Sequence, residues 1–156
     1  PAEWVAIPGS LEAIVRLNES GYNVCVATNQ SGLGRGLFDL ETLAMIHQKM
    51  LNELRLIGGH IHMIAYCPHR PDQSCACRKP NTGLLAAINE QFRLDPDTTW
   101  MVGDTRKDVQ CAHRMGIRAA LVLTGKGQGE LKKGTVSRET TPIFQNLSEF
   151  TDWLLA

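Results

Sequence analysis

Apolar positions in this chain fall into short dense runs that alternate with helically spaced stretches. Residues 1–9 read as an extended approach, with Pro8-Gly9 as a turn signal and Ser10 as a helix N-cap. Leu11, Ile14, Val15 and Leu17 then repeat at helical spacing, and Gly21 ends the helix. Residues 22–28 form a nearly continuous apolar run closing on small polar residues, the pattern of a buried parallel strand. That run empties into a glycine-rich loop over residues 29–36. A second helix is predicted over 39–57, with Leu40, Leu43, Ile46, Met50, Leu51 and Leu54 on one side and Gly58-Gly59 closing it. Residues 62–66 read as the next strand.

Beyond Pro80, residues 82–92 show helical spacing through Leu84, Leu85, Ile88 and Phe92. Asp95-Pro96-Asp97 is a turn, and residues 99–102 form a short strand ending in Gly103-Asp104. A helix is predicted over 106–115, stopped at Gly116, then an apolar strand over 118–123. The glycine- and lysine-rich segment 125–134 is expected to be a mobile loop. Ile143-Phe144 reads as a last short strand. Ser148 is expected to cap a final helix through Leu155, with Phe150, Trp153 and Leu154 on its buried side. No internal repeat is visible.

This alternation predicts an α/β fold, a Rossmann-like parallel sheet with helices on both faces. Ligands of such sheets bind beyond the carboxyl ends of the strands. Three predicted strand ends carry polar residues suited to a ligand: Thr28-Asn29-Gln30, residues 67–79, and Gly103-Asp104. They are expected to converge on one rim.

A length of 156 residues fits one domain. Sixteen basic and sixteen acidic residues cancel, which argues against a nucleic-acid or anionic-membrane binder driven by bulk charge. No apolar run reaches membrane-spanning length, and no signal peptide is visible. The five cysteines fit a reducing cytosol with a metal site better than a secreted disulfide framework, so a cytoplasmic location is expected. Nothing in the sequence demands an oligomer, and a monomer is expected.

The densest chemistry lies in Cys67, His69, Cys75 and Cys77. Three thiolates and one imidazole match a closed tetrahedral structural zinc site, with no position left for water. The alternatives are a disulfide, disfavoured by compartment, and four unliganded residues, disfavoured by the density of the cluster. Zinc here would order a long irregular loop. Arg78-Lys79 follows directly, a guanidinium fork beside a compact ammonium. The pair reads as a phosphate grip, or as a solvated basic pair. Thr28, Asn29, Gln30 and Ser31 offer a hydroxyl, amides and backbone N–H groups that can cradle phosphate oxygens, or else a polar turn. The glycines at 32, 34 and 36 fail the dinucleotide fingerprint, because Leu37 stands where the third should be. Gly125-Lys126-Gly127 lacks the Ser or Thr of a nucleotide P-loop. Asp104 at a strand end suits magnesium, with Asp108 as a supporting group; helix capping is the other role open to Asp104. His47, His60, His62 and His113 show no ligand spacing and read as surface or packing residues, as Trp4, Trp100 and Trp153 read as packing.

The order of Thr28, Lys79 and Gly103-Asp104 with Asp108 resembles motifs two, three and four of the haloacid dehalogenase-like phosphatases. The runs VATNQSGLGRG, CPHRPDQSCACRKPNTGLL and MVGDTRKD narrow the resemblance to the zinc-loop branch, whose members act on heptose bisphosphate or histidinol phosphate. The resemblance covers essentially the whole chain. It implies magnesium-dependent removal of the 7-phosphate from D-glycero-D-manno-heptose 1,7-bisphosphate, on the route to nucleotide-activated heptose. The alternatives are histidinol-phosphate hydrolysis and a non-catalytic zinc-bearing module that binds phosphates. It implies that Thr28, Lys79 and Asp104 serve the reaction, that Arg78 with residues 29–31 recognises a small sugar phosphate, and that no cap domain covers the site. One departure is Thr105, where members of this branch often carry lysine.

The family's first motif, Asp-x-Asp-Gly after the first strand, supplies the nucleophile and the general acid. No stretch of this sequence matches it. The chain opens on Pro1 rather than methionine, and an N-terminally incomplete copy is expected, lacking the central strand between those ending at Thr28 and Asp104.

Two predictions follow from these residues. The purified 156-residue chain has no magnesium-dependent phosphatase turnover; any such turnover contradicts the missing-motif reading. Cys75→Ser releases zinc; unchanged zinc content by elemental analysis removes Cys75 from the ligand set.

Overall fold

Two parallel ladders organise the chain, in a computed structural model that describes residues 9–29, 40–67, 76 and 79–156. The Trp4, Gln30, Ser31, His69, Cys75, Cys77 and Arg78 expectations lie outside the described residues. The ladders fall in separate units, Pro1–Cys75 and Ala76–Ala156.

The first unit runs α1 (Ser10–Glu19), β1 (Cys25–Asn29), α2 (Leu40–Leu56) and β2 (Met63–Cys67). β1 and β2 pair in parallel, with Thr28 opposite Tyr66 and Asn29 opposite Cys67. Parallel neighbours need a long crossover connection, and α2 supplies it. Ala13, Leu17, Leu54, Ala65 and Cys67 are buried. Two local expectations are corrected. Gly9, not Ser10, stands at the α1 cap, in the left-handed region at φ 85°, and its carbonyl accepts the first helical N–H, from Ala13 at 3.0 Å. β1 also starts three residues later than the apolar run, at Cys25. The Tyr22 N–H is committed to the Leu17 carbonyl at 3.0 Å, closing α1 before the chain can extend.

The second unit runs α3 (Gly83–Phe92), β3 (Trp100–Gly103), α4 (Arg106–Arg114), β4 (Arg118–Val122), α5 (Gly127–Lys132), β5 (Ile143–Phe144) and α6 (Leu147–Leu155). Its strands lie in the order β3-β4-β5, all parallel. Residues 119–122 are all buried, as a central strand covered on both faces requires. Phe144, Phe150, Trp100 and Trp153 meet largely edge-to-face, with ring centroids 5.3–5.6 Å apart for the pairs Trp100–Phe150, Trp100–Trp153, Phe144–Phe150 and Phe144–Trp153.

The last segments depart from the sequence expectation in three ways. Residues 125–134 contain a helix, α5, rather than a structureless loop. Gly127 is there for close approach: a Cβ would sit 1.8 Å from the Val122 carbonyl oxygen. Asn146, not Ser148, caps α6, accepting from the Glu149 N–H at 2.8 Å, while the Glu149 carboxylate accepts from Gln145 N–H at 3.0 Å. The buried side of α6 is Phe150 and Thr151, whose hydroxyl donates to the Leu147 carbonyl at 2.8 Å; Trp153 is 49% exposed on the rim. Among the described residues no helix is long and apolar enough to cross a membrane.

Phe150→Ala should lower stability by about 3–5 kcal/mol in urea unfolding, the range for truncating a buried aromatic. Trp153→Ala should cost less than half as much. Equal losses would contradict this placing of the core.

Candidate active site

Asp108, Cys111 and Arg114 recur every third residue of α4, so they share one face. Along that face lie residues 79–81. The Lys79 ammonium meets Asp108 Oδ1 at 2.6 Å, with side chains 12% and 7% exposed. Among the described residues Oδ1 takes no hydrogen bond besides this ion pair. Cys111 Sγ donates to the Asn81 carbonyl at 3.4 Å. Arg114 Nη1 donates to the Pro80 carbonyl at 3.2 Å and to Asn81 Oδ1 at 3.5 Å. The Lys79–Pro80 peptide is cis. Burial pushes the Cys111 thiol up, offset by the Lys79 and Arg114 cations and reinforced by Asp108. The thiol therefore stays protonated at neutral pH and remains a donor.

The second oxygen of Asp108 works on the other side. Oδ2 accepts from the N–H of Asp104 at 3.1 Å, from the N–H of Thr105 at 3.2 Å and from the Thr105 hydroxyl at 3.0 Å. The Asp108 N–H in turn donates to Thr105 Oγ1 at 3.3 Å, which completes a capping box. Thr105 is thus the N-cap of α4, and the capping role open to Asp104 in the sequence is filled by its neighbour. Gly103 makes room for this arrangement: a Cβ there would lie 2.3 Å from Asp108 Oδ2.

Capping released from it, the Asp104 carboxylate stands half-buried just past the end of β3. Its Oδ2 accepts from the Lys126 backbone N–H at 3.0 Å. Among the described residues no donor reaches Oδ1. An anionic oxygen without a protein donor, on a carboxylate fixed by its other oxygen, is what a hard divalent cation such as magnesium takes. The one Asp-x-Asp pair in the sequence, Asp95 and Asp97, lies in an exposed turn where the Asp97 N–H donates to Asp95 Oδ1 at 2.9 Å. That turn leads into β3, and Asp104 lies beyond the strand's other end.

In the first unit, Thr28 is half-buried as the penultimate residue of β1, and the backbone of Asn29 ends that strand. Cys67 ends β2, fully buried and in no disulfide, as Cys25 and Cys111 are in none. A buried thiol at a strand end suits a structural zinc ligand. Its three expected co-ligands lie outside the described residues, among which no group of three His, Cys, Asp or Glu is placed to hold a metal ion. The described histidines keep to packing and surface: His47 lies edge-on to Tyr66 at 6.1 Å, and His62 Nδ1 accepts from the Val24 N–H at 3.0 Å.

Sequence reasoning passed over three contributors: Cys111, Arg114 and the Lys126 amide. The spacing of Asp108, Cys111 and Arg114 carried a signal for the first two. A backbone donor that reaches across 22 residues carries none.

A family model described as HAD-hydrolase-like matches residues 76–150. The chain is 45% identical over 146 residues to the D-glycero-beta-D-manno-heptose-1,7-bisphosphate 7-phosphatase of Pseudomonas putida, covering 94% of this chain and 82% of that protein. It is 40% identical over 154 residues to the enzyme of the same name from Neisseria meningitidis, covering 98% and 82%. Among solved structures, the D,D-heptose 1,7-bisphosphate phosphatase of B. bronchiseptica, complexed with magnesium and phosphate, superposes with a TM-score of 0.94 at 44% identity, over 99% of this chain and 86% of that one. The chain belongs to the haloacid dehalogenase-like phosphatases, on the branch of the heptose bisphosphate phosphatases.

Proposed function

We propose that the full-length protein is a magnesium-dependent phosphomonoesterase that removes the 7-phosphate of D-glycero-D-manno-heptose 1,7-bisphosphate. The observation that carries the reading is the Lys79 ammonium held at 2.6 Å by Asp108, on the helix that starts beside Asp104. A fixed cation next to a metal-competent carboxylate is what a phosphoryl group in transit requires. The substrate rests on the relatives' names and on the magnesium and phosphate in the B. bronchiseptica complex.

Asp104 would hold the magnesium, whose chemistry is neutralisation of charge on the phosphoryl oxygens. Asp108 keeps Lys79 oriented, and the ammonium stabilises non-bridging oxygens as negative charge shifts during in-line transfer. The Thr28 hydroxyl and the N–H groups of residues 29–31 would bind further oxygens, and Arg78 would recognise the sugar phosphate. Zinc held by Cys67, His69, Cys75 and Cys77 would fix the segment that delivers Arg78 and Lys79. The burial of Cys67 and its lack of a disulfide support that assignment.

The nucleophile and the general acid have no counterpart in the 156 residues, and we assign both to an Asp-x-Asp motif upstream. Residues 1–156 are then an N-terminally incomplete phosphatase domain. Two features support this. β1 and β3 each pair with one neighbouring strand among the described residues. The matched relatives are also longer, since this chain covers 82% of the P. putida protein. A cytoplasmic monomer remains the expected setting.

Turnover of heptose 1,7-bisphosphate and of histidinol phosphate by the full-length protein, measured side by side, tests the substrate. A higher kcat/KM for the heptose is expected. A preference for histidinol phosphate overturns the substrate assignment, and no turnover of either favours the phosphate-binding module. Lys79→Ala should lower kcat by about 10²–10³, as removal of one preorganised donor does; unaltered kcat would end its assigned role.

A further inference from the structure

We infer that the backbone N–H of Lys126 is a positioning group for magnesium, fixing the carboxylate of Asp104 through its Oδ2. The inference rests on Asp104 being a magnesium ligand, as proposed above.

The 125–134 segment reads in sequence as a mobile loop, yet Gly125 and Gly127 are placed for close approach. Gly125 takes φ +62°, and a Cβ on it would lie 2.4 Å from Asp104 Oδ2. Gly127 packs so closely under β4 that a Cβ would meet the Val122 carbonyl oxygen at 1.8 Å. Between them, the Lys126 N–H reaches Asp104 Oδ2 at 3.0 Å. Gly125 leaves room for the Asp104 carboxylate beyond β3, and Gly127 lets the loop close against the end of β4. The Lys126 side chain is itself exposed.

The consequence is a division of labour within one carboxylate. Oδ2 is pinned by the amide, while Oδ1 meets no donor among the described residues. An unpinned carboxylate would rotate about its last side-chain bond and spread its charge over several directions. Pinning one oxygen fixes the direction of the other, the kind of outer support that commonly changes metal affinity by ten- to a hundredfold. Asp108 is braced in a comparable way, one oxygen on the Thr105 cap and one on Lys79. The two carboxylates beyond β3 are therefore each oriented by a second contact, one by a helix cap and one by a loop amide.

Lys126→Pro deletes the N–H with a small backbone adjustment, since Lys126 sits at φ −90°, near the range proline accepts, and follows a glycine. Lys126→Ala keeps the N–H and removes the charge. Manganese, standing in for magnesium, is titrated into the full-length protein without substrate and followed by electron paramagnetic resonance. Lys126→Pro should weaken binding by about tenfold or more. Lys126→Ala should bind within about twofold of the unaltered protein, and Asp104→Asn should lose more than either. Gly125→Ala keeps the amide but crowds Oδ2, and it should weaken binding as Lys126→Pro does, which covers the case where the proline variant does not fold. Unchanged affinity in Lys126→Pro or Gly125→Ala, with Asp104→Asn impaired, overturns the inference. Equal losses in Lys126→Ala and Lys126→Pro also overturn it, by assigning the effect to the side chain. Unchanged affinity in Asp104→Asn sinks the underlying reading of Asp104 itself.

Discussion

The Asp108 carboxylate holds together everything the second unit offers to a ligand. One oxygen caps α4 through Thr105 and the Asp104 N–H, and the other takes the Lys79 ammonium. A single buried charge thus sets the start of a helix, the direction of the chain past β3 and the orientation of the cation. Burying such a carboxylate without partners would cost several kcal/mol. The partners are therefore as much a condition of its burial as a use of it. Cys111 and Arg114 extend the same contact down one face of α4, so the 79–81 segment is fastened at three successive residues.

Much of the second unit was legible in the sequence because periodicity and burial agree there. The run from Ala119 to Val122 is apolar throughout, as a strand covered on both faces must be. Leu84, Leu85 and Ile88 carry the helical spacing of α3. The errors occur where the chemistry of one residue competes with a general signal. Glycines at 125 and 127 usually mean a loop, but here they permit close packing and a helix follows. Ser148 has the right chemistry for a cap, yet Asn146 lies nearer the end of β5 and takes the role. Trp153 carries helical spacing with Phe150 but sits on the rim of the aromatic cluster.

The candidate site was legible as residue types and hidden as geometry. Lys79, Asp104 and Asp108 stand out in the sequence as a cation and two carboxylates after predicted strands. That Asp108 pairs with Lys79, across 29 positions, follows only from α3 and β3 returning the chain to α4. The Lys126 contact has no sequence signal, because any residue but proline supplies the same amide.

In the proposed reaction Asp108 aims Lys79 at a phosphoryl group. The most direct measurement is the affinity of the full-length protein for inorganic phosphate with magnesium present, by calorimetry, in Lys79→Ala, Asp108→Asn and the double variant. If the two side chains act as one unit, each single change weakens phosphate binding by about tenfold and the double change adds little, the non-additivity expected of a coupled pair. Undiminished affinity in Asp108→Asn, or losses that simply add, would contradict the claim.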